Sequence, residues 1–416
     1  TTGTVTIANA TVTGGKQGVE MLKGTLNLSN TSFDKPAKIV ANGKEKVLNL
    51  SGLIKGSILF NEAIPANVTG ALTDGSDVTV DWAASKAPAD GIAINFAAGT
   101  MEASKKYIKL GSVQSATYLL HFTTEGGAEV GKLVDNIVKT EAELNEYFAA
   151  ATYYGITEPT ILIGDSFAVT GQVAIPVGIT SLSIQGEGKT ITYNGSNGSI
   201  FTWNNCKTLS LNDITINGNK KGQLAVPAGI TANLTDVTIL KPYQRGVQFN
   251  GAVHMSGTIT VDNAGGNTDV WAVSGADNGV LTCDAGTTLN INNTQFGFVA
   301  NGTAVMSVDT VVIKDISNDA IYKNGSGTMT IGTAIVEKNT TAKSARYGVH
   351  MMNGKLTIGN LSIRDTGNTC INQTGGTSEF SNVTIQDHAN SHSVKMTVGT
   401  MTIHGGTIGK SNFQCS

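Results

Sequence analysis

The chain has 416 residues, a net charge of −3 and only 14% charged residues, so it lacks the basic field that binds nucleic acid. Its 53 Thr and 50 Gly, beside 7 Pro, disfavour a helical bundle, because Thr is a weak helix former and a good strand former. Gly falls well short of the one-third typical of collagen, and no apolar stretch is long enough to span a membrane as a helix.

Short strands recur along residues 1–72 with a regular period. Ile7, Leu28, Leu50 and Leu72 follow one another at nearly equal steps of about 22 residues. A period of this length, built from short strands, is typical of a parallel β-solenoid, in which each coil stacks on the one before. The first part of the chain is therefore predicted to be a stack of coils.

The chain between these coils and the next regular segment is less periodic. Residues 73–130 contain short apolar strands at uneven spacing, and they are predicted to form a terminating β module. Residues 123–135 begin Thr-Thr-Glu-Gly-Gly-Ala-Glu, which indicates a linker. Residues 1–122 are thus predicted to be a shorter solenoid domain with an irregular end.

One amphipathic helix is predicted at the start of the C-terminal domain, residues 136–416. Thr140 and Glu143 form a capping box, in which each side chain bonds the backbone amide of the other residue. The apolar residues that follow lie on one helical face: Leu144, Tyr147, Phe148 and Ala151. Because a helix in this position can shield open strand edges, residues 136–155 are predicted to cap the coils over 156–416.

The C-terminal domain has the same period as the first. The last apolar residues of its strands recur at steps of about 22 residues on either side of one insertion: Ile216, Ile239 and Val261, then Ile291, Ile313, Ile335 and Ile358, and a second series Ile363, Ile385 and Ile408. Asn-Gly pairs between them supply the positive φ that tight corners need. A leucine-rich repeat has a similar period, but its Leu-x-x-Leu-x-Leu frame is absent.

The run from Thr140 to Asn219 resembles the entrance of pectate-lyase-like right-handed parallel β-helices, with a helix, the strand Thr160–Ile163 and the turn Gly186-Glu-Gly188. The segment Gly70–Val80 resembles the end unit of large bacterial surface repeat proteins with adhesin-like β-helices. The resemblance implies an all-β, right-handed parallel β-helix of about 22 residues per coil. It does not define a function, since unrelated functions occur on this scaffold.

Polygalacturonases on this fold carry Asn-Thr-Asp, Asp-Asp, Gly-His-Gly and Arg-Ile-Lys motifs about one coil apart. Here Asn267-Thr268-Asp269 matches the first motif, and Asn318-Asp319 and Gly348-Val349-His350 half-match the next two. Asp269 and Asp319 are separated by more than two coils of chain, so they are not expected to work as a pair. Arg-Ile-Lys is absent, His350 is expected to be an ordinary surface side chain, and no catalytic residue is predicted.

Two clusters could in principle hold a metal ion. Asp213, Asp236 and Asp262 follow one another at close to one coil, which predicts corner residues that bond the turn backbone, with a Ca²⁺ site as the alternative. His388 and His392 are predicted to be an incidental surface pair in a loop. The sequence therefore predicts no metal and no cofactor.

Two further patterns are predicted to be structural. No two of the four cysteines, Cys206, Cys283, Cys370 and Cys415, are about one coil of 22 residues apart, so none is expected to face another on a neighbouring coil and no intrachain disulfide is expected. Thr precedes the inward residue of several strands and is predicted to form an outward row: Thr215, Thr238, Thr260, Thr357, Thr384 and Thr407.

These patterns favour a non-enzymatic, extracellular or cell-surface, adhesin-like β-solenoid. Ile403 and Ile7 would be close to one coil apart across the chain ends, so end-to-end assembly with other copies into a fibre or array is predicted. The alternative is a carbohydrate-active β-helix that binds or cleaves a glycan, and a trimeric fibre is a third hypothesis. An exposed row of aromatic residues would favour the alternative, and the candidates for it are Trp203, Tyr243, Trp271, Tyr322 and Tyr347.

Overall fold

The computed structural model describes residues 3–16, 18–39, 46–83, 86–88, 91–337, 346–386, 392–409 and 413–415. Regular structure in this part of the chain is almost entirely β. The chain divides into two compact units: Thr1–Asn136 with Ala142–Gly155, and Ile137–Glu141 with Ile156–Ser416.

The first unit contains strands with short connections and two helices. Its elements in chain order are β1 (Thr4–Val12), β2 (Val19–Met21), β3 (Gly24–Phe33), β4 (Ala37–Ile39), β5 (Lys46–Phe60), β6 (Ala66–Leu72), β7 (Asp77–Trp82), β8 (Ile92–Phe96), α1 (Met101–Ser104), a 3-10 turn (Lys105–Tyr107), β9 (Ile108–Leu110), β10 (Leu119–Glu125), β11 (Ala128–Val134) and, after one strand of the second unit, α2 (Glu141–Tyr153).

The coils of the first unit stack in parallel, β1 on β3, β3 on β5 and β5 on β6. Ile7 pairs with Leu28 and Leu28 with Leu50, as the period predicts. Leu50 then pairs with Val68 rather than with Leu72, because this coil is shorter than the period, and after a register shift Leu72 pairs with Gly52. The strands are therefore parallel and stacked as predicted, but Val68 takes the position beside Leu50 that the period assigned to Leu72.

Amide side chains form a hydrogen-bonded column on the outside of these coils, which we call the Asn ladder. Asn49 Nδ2 donates to Asn27 Oδ1 over 2.9 Å, Asn67 Nδ2 to Asn49 Oδ1 over 3.4 Å, and Asn95 Nδ2 to Asn67 Oδ1 over 3.0 Å. Asn27 Nδ2 in turn donates to Thr6 Oγ1 over 3.2 Å. The ladder adds side-chain hydrogen bonds to those that the parallel backbones already make.

The first unit ends in an antiparallel hairpin, because β11 pairs with both β10 and β8 in that direction. Most of residues 123–135, predicted as a linker, lie in this hairpin. Lys132 Nζ on β11 is 3.1 Å from Glu146 Oε1 on α2, and the rings of Phe122 and Tyr153 are 5.4 Å apart. The apolar face predicted for α2 is buried, but Ala142–Gly155 group with the first unit, whereas the sequence predicted a cap on the coils that follow.

The second unit is the longer solenoid. Its strands are β12 (Ile137–Val138), β13 (Thr160–Ile163), β14 (Phe167–Val169), β15 (Val173–Ala174), β16 (Ser181–Gln185), β17 (Thr190–Tyr193), β18 (Gly198–Ser199), β19 (Phe201–Thr202), β20 (Thr208–Asn217), β21 (Gly222–Val226), β22 (Thr231–Leu240), β23 (Arg245–Phe249), β24 (Ala252–Ser256), β25 (Thr258–Asp262), β26 (Trp271–Gly275), β27 (Val280–Cys283), β28 (Thr288–Asn292), β29 (Phe296–Ala300), β30 (Val305–Lys314), β31 (Asp319–Lys323), β32 (Thr328–Glu337), β33 (Tyr347–Met351), β34 (Lys355–Arg364), β35 (Thr369–Gln373), β36 (Thr377–Gln386), β37 (Val394–Met396), β38 (Thr400–Ile403), β39 (Gly406–Ile408) and β40 (Phe413–Cys415).

All described pairings in this unit are parallel, and they form two long sheets and one two-stranded sheet, β15 with β19. Sheet 1 runs from β12 to β39 and includes the ten-residue strands such as β20 and β22. Sheet 2 runs β18-β21-β23-β26-β29-β31-β33-β35-β37-β40. One coil therefore contributes a long or divided strand to sheet 1 and a short strand to sheet 2, with the apolar core between them.

The inward column of sheet 1 confirms the predicted period, with two corrections. Ile216 pairs with Ile239 and Ile239 with Val261, and the column continues through Ile291, Ile313, Val336, Ile363, Ile385 and Ile408. The partner of Ile313 is Val336, so Ile335 faces outward. Ile358 lies on the other half of the strands, between Ile331 and Phe380.

The predicted Thr row follows the same register in part. Thr215 pairs with Thr238 and Thr238 with Thr260, and further along the sheet Thr384 pairs with Thr407. Thr357 lies instead on the other half of the strands, because its partner is Thr330. The row is therefore divided between two faces of sheet 1.

Two of the long strands of sheet 1, β20 and β22, bend at left-handed residues. Asp213 and Asp236 have φ of 46° and 52°, a conformation that short polar side chains tolerate. Asp236 Oδ1 accepts a hydrogen bond from the amide of Thr258 over 2.8 Å, which joins this corner to the next coil. These bends divide β20 and β22 into two faces.

Candidate functional site

The outer face of sheet 2 carries two columns of side chains, set by its parallel register. The first column is Arg245, Trp271, Phe296, Asp319, Tyr347 and Thr369. The second is Gln248, Ser274, Val299, Tyr322, His350, Asn372 and Lys395. Because paired strands are about 4.8 Å apart, neighbours in a column lie within contact of each other.

Rings from these columns form a continuous surface, which we call the aromatic strip: Trp271, Phe296, Tyr322, Tyr347 and His350. The ring centroids are 4.9 Å apart for Trp271–Phe296, 5.8 Å for Phe296–Tyr322, 5.3 Å for Tyr322–His350 and 4.7 Å for Tyr347–His350. All five rings are half-buried. The strip therefore presents a ring on each of four successive coils while its inner edges stay packed.

Small and buried side chains in the second column make room for the rings. Ser274 and Val299, which continue the column beyond Tyr322, are 4% and 0% exposed. The rings thus lie on a packed surface, which limits the rotamers they can adopt.

An arginine lies at each end of the strip. The guanidinium of Arg245 is 4.3 Å from the Trp271 ring centroid, and that of Arg346 is 4.7 Å from the Tyr347 centroid. Burial lowers the pKa of Arg245, although a guanidinium remains charged at physiological pH. The strip therefore has apolar rings in its middle and a hydrogen-bond donor group at each end.

A buried carboxylate lies within the strip. Asp319 is 3% exposed, and its Oδ2 atom is 2.7 Å from Nδ1 of His350. Asp319 Oδ1 has no hydrogen-bond partner among the described residues. Because a carboxylate accepts a hydrogen bond from Nδ1–H, this contact fixes the orientation of the imidazole and leaves its Nε2 atom for other partners. Burial, with a smaller contribution from Asp319, raises the pKa of Tyr322.

Asp269 and Asp319, the two aspartates of the motifs that resemble those of polygalacturonases, lie apart, as their spacing in the sequence indicates. Asp269 is exposed and lies in the loop before β26, whereas Asp319 begins β31, two sheet-2 strands further on. They do not form a pair. His350, expected to be an ordinary surface residue, instead bonds Asp319 from the next coil.

Two of the three corner aspartates, Asp236 and Asp262, bond backbone amides, as expected for structural residues. Asp236 accepts from Thr258, and Asp262 Oδ1 accepts from the amide of Ala264 and from Asn293 Nδ2, both over 2.9 Å. Asp262 follows Leu240 in register and so lies at a different corner from Asp236. Across the described residues, no group of three or more His, Cys, Asp or Glu is placed to hold a metal ion.

Of the five aromatic residues proposed from sequence, Trp271, Tyr322 and Tyr347 belong to the strip. Tyr243 lines a pocket beside it. Trp203 is 7% exposed, and its Nε1 donates to the carbonyl of Ala225, so it is a core residue. Phe296 and His350 were not proposed, and only the register of sheet 2 brings them to this face.

Other notable polar residues are structural. Lys323 is fully buried and donates to the carbonyl of Gly325. Cys206, Cys283 and Cys370 are free thiols, and burial raises the pKa of all three. His388 and the side chain of Cys415 lie outside the described residues, so the predictions about them stay open.

The sequence matches no protein-family model, and comparisons with curated proteins and with solved structures find no significant match. In the described part of the chain, no helix is long and apolar enough to cross a membrane.

Proposed function

We propose that this chain is a non-enzymatic, extracellular, adhesin-like β-solenoid that binds a glycan along the aromatic strip. The observation that carries the proposal is the unbroken series of ring contacts from Trp271 to Tyr347. A sugar ring has an apolar face of C–H bonds and an edge of hydroxyls. It therefore packs on half-exposed rings and hydrogen-bonds to polar groups beside them.

The form of the strip supports an elongated ligand. Its rings are repeated at the spacing of the coils, so a chain of sugars can contact several of them at once. Contacts of this kind add along a chain, which lets modest individual interactions give useful affinity. Arg245 and Arg346 supply donors at the ends, and His350 Nε2 supplies a further polar group between them.

The proposal is tested by applying the full chain to an array of oligosaccharides and comparing Trp271→Ala and Tyr322→Ala with the unmodified protein. Each loss of a ring is expected to weaken binding at least tenfold, because central aromatic contacts carry about 1.4 kcal/mol or more. Trp271→Phe keeps a ring and should retain most of the affinity. Val280→Ala, at an exposed position on sheet 1, is the control that should leave binding unchanged. Equal binding by all variants would refute the strip as the site.

A carbohydrate-active enzyme is the second candidate, favoured by the contact between Asp319 and His350. A carboxylate that fixes an imidazole can prepare it to accept a proton from a bound substrate. If so, any oligosaccharide that binds should gain new reducing ends during incubation, and His350→Ala should abolish that change while leaving Trp271 to bind. Bound oligosaccharides that stay intact over days would support the binding function alone.

End-to-end assembly and an extracellular location belong to the same proposal. Parallel coils join through backbone hydrogen bonds, and strands of a second copy could extend a sheet in the same way. Negative-stain electron microscopy with light scattering tests this directly. Filaments that lengthen with concentration would support assembly, and discrete particles of constant mass would refute it.

A further inference from the structure

A pocket of about 360 Å³ lies beside Arg245, the first member of the column that contains Trp271. It is lined by Tyr243, Gln244, Arg245, Asn267, Thr268 and Asp269. Apart from Arg245, these residues lie outside the aromatic strip and its two end groups.

The pocket is built by the insertion that interrupts the coil period. The loop between β25 and β26, residues 263–270, is longer than the loop 241–244 between β22 and β23. Asn267 Nδ2 donates to the carbonyls of Lys220 over 3.0 Å and Tyr243 over 2.8 Å, so the loop lies across the two preceding coils. Asn263, 4% exposed, donates to the carbonyl of Asn267 over 2.7 Å and braces the loop from below.

The first ring of the aromatic strip, Trp271, directly follows the loop 263–270. Leu224 pairs with Val247, so the residue that precedes Arg245 in the first column is Gly222, which has no side chain. Beyond Arg245 the column therefore offers no ring or guanidinium. A ligand that follows the strip in this direction meets the pocket and the loop 263–270 beside its last contact group.

The pocket has the chemistry of a neutral polyol site. The Arg245 guanidinium donates hydrogen bonds only, and the Asp269 carboxylate accepts them only, while Tyr243, Gln244 and Thr268 can do both. Sugar hydroxyls donate and accept, so they match such a mixture. A carboxylate or sulfate on the ligand would be attracted by Arg245 and repelled by Asp269, so it would lose its hydration without a net attraction in return.

We infer that this pocket binds the terminal residue of a neutral glycan chain, whose following residues lie on the aromatic strip. The inference rests on the proposed glycan-binding function and adds both the direction of the chain and its charge class. Recognition is then of a chain end, not of an arbitrary stretch of polymer.

The test uses one set of neutral gluco-, manno- and galacto-oligosaccharides, immobilised either through the reducing end or through the non-reducing end. Oligogalacturonates of matched length provide the acidic comparison. We expect binding in one orientation only, and at least tenfold weaker binding of the acidic chains. Equal binding in both orientations, or preference for the acidic chains, would overturn the inference.

Variants separate this inference from the function on which it rests. Asp269→Asn is expected to weaken binding about tenfold and to reduce the preference for one orientation, since it removes a charged acceptor. Asp284→Asn makes the same change of charge at an exposed position next to β27 of sheet 1 and should have no effect. If Trp271→Ala abolishes binding and Asp269→Asn changes nothing, the pocket inference is wrong and the strip stands. If the unmodified chain binds no oligosaccharide, both are wrong.

Discussion

Nδ1 of His350 lies 2.7 Å from Oδ2 of Asp319, and the two residues belong to strands on neighbouring coils. The His350 side chain is 13% exposed and that of Asp319 is 4% exposed, so the contact is made largely out of water. A contact of this kind holds the face of sheet 2 together as well as orienting the imidazole. Removal of the imidazole leaves the buried Asp319 carboxylate without this hydrogen-bond donor.

We expect His350→Ala to lower the free energy of unfolding by about 3 kcal/mol, because it strands the Asp319 carboxylate. His254→Ala is the matched control: its Nε2 is 3.2 Å from Asp284 Oδ1, but these side chains are 40% and 64% exposed. The control is expected to cost less than about 1 kcal/mol. Urea unfolding followed by circular dichroism measures both, and equal losses would show that burial of Asp319 has no energetic consequence.

Lys323 predicts a defined dependence of stability on pH. Burial lowers its pKa from 10.5 to about 8, so the folded chain releases this proton at a lower pH than the unfolded chain does. The contribution of Lys323 to stability therefore rises by roughly 3 kcal/mol from pH 8 to 10.5 and is constant at its lower value below that window.

The substitution Lys323→Met should remove this rise. Urea midpoints of the unmodified chain and the variant, measured across pH 8 to 10.5, give the difference directly. Lys314→Met is the control, since Lys314 is 40% exposed and pairs with Glu337 at the surface. The assignment to Lys323 would be rejected if its variant kept the same rise as the Lys314 variant.

The Asn ladder predicts graded losses in the first unit. Asn49→Ala removes two ladder hydrogen bonds and should cost about 1–2 kcal/mol, whereas Asn95→Ala removes one and should cost about half as much. Hydrogen exchange of β3, β5 and β6 amides reports the loss locally. Equal exchange rates in the two variants would mean that the side chains do not act as a connected column.

Thiol labelling tests the packing of the core. Cys206 and Cys370 are buried, and burial raises the pKa of Cys370 to about 11, so native thiolate is scarce at both sites. We expect an uncharged maleimide at neutral pH to modify them only after unfolding. Peptide mapping by mass spectrometry identifies the labelled sites, and rapid native labelling of Cys370 would contradict its burial.

The repeat made the fold predictable, since inward Ile, Val and Leu at a fixed period of this length are typical of stacked coils. Errors arose where a coil is longer or shorter than the average period, so that Ile313 pairs with Val336 in place of Ile335 and Leu50 with Val68 in place of Leu72. Each of these positions has another apolar residue close by in the chain, and the pattern alone does not choose between them.

The strip was harder to predict because loops of different length separate its rings. The steps from Trp271 to Phe296 and from Phe296 to Tyr322 are both longer than the regular step between coils of sheet 1. The step from Tyr322 to His350 is longer still. Because these steps differ, the sequence does not show that the rings share one face, although the register of sheet 2 aligns the rings.

The parallel register of sheet 2 spaces the coils that carry the strip at a fixed interval. Backbone hydrogen bonds hold neighbouring strands about 4.8 Å apart, and no side-chain rearrangement can change that interval. A polymer whose own repeat matches the interval stays in phase with every ring, while one with a different repeat drifts out of phase and gains nothing from added length. Affinity measured against chain length would then reveal the repeat of the natural ligand before its chemical identity is known.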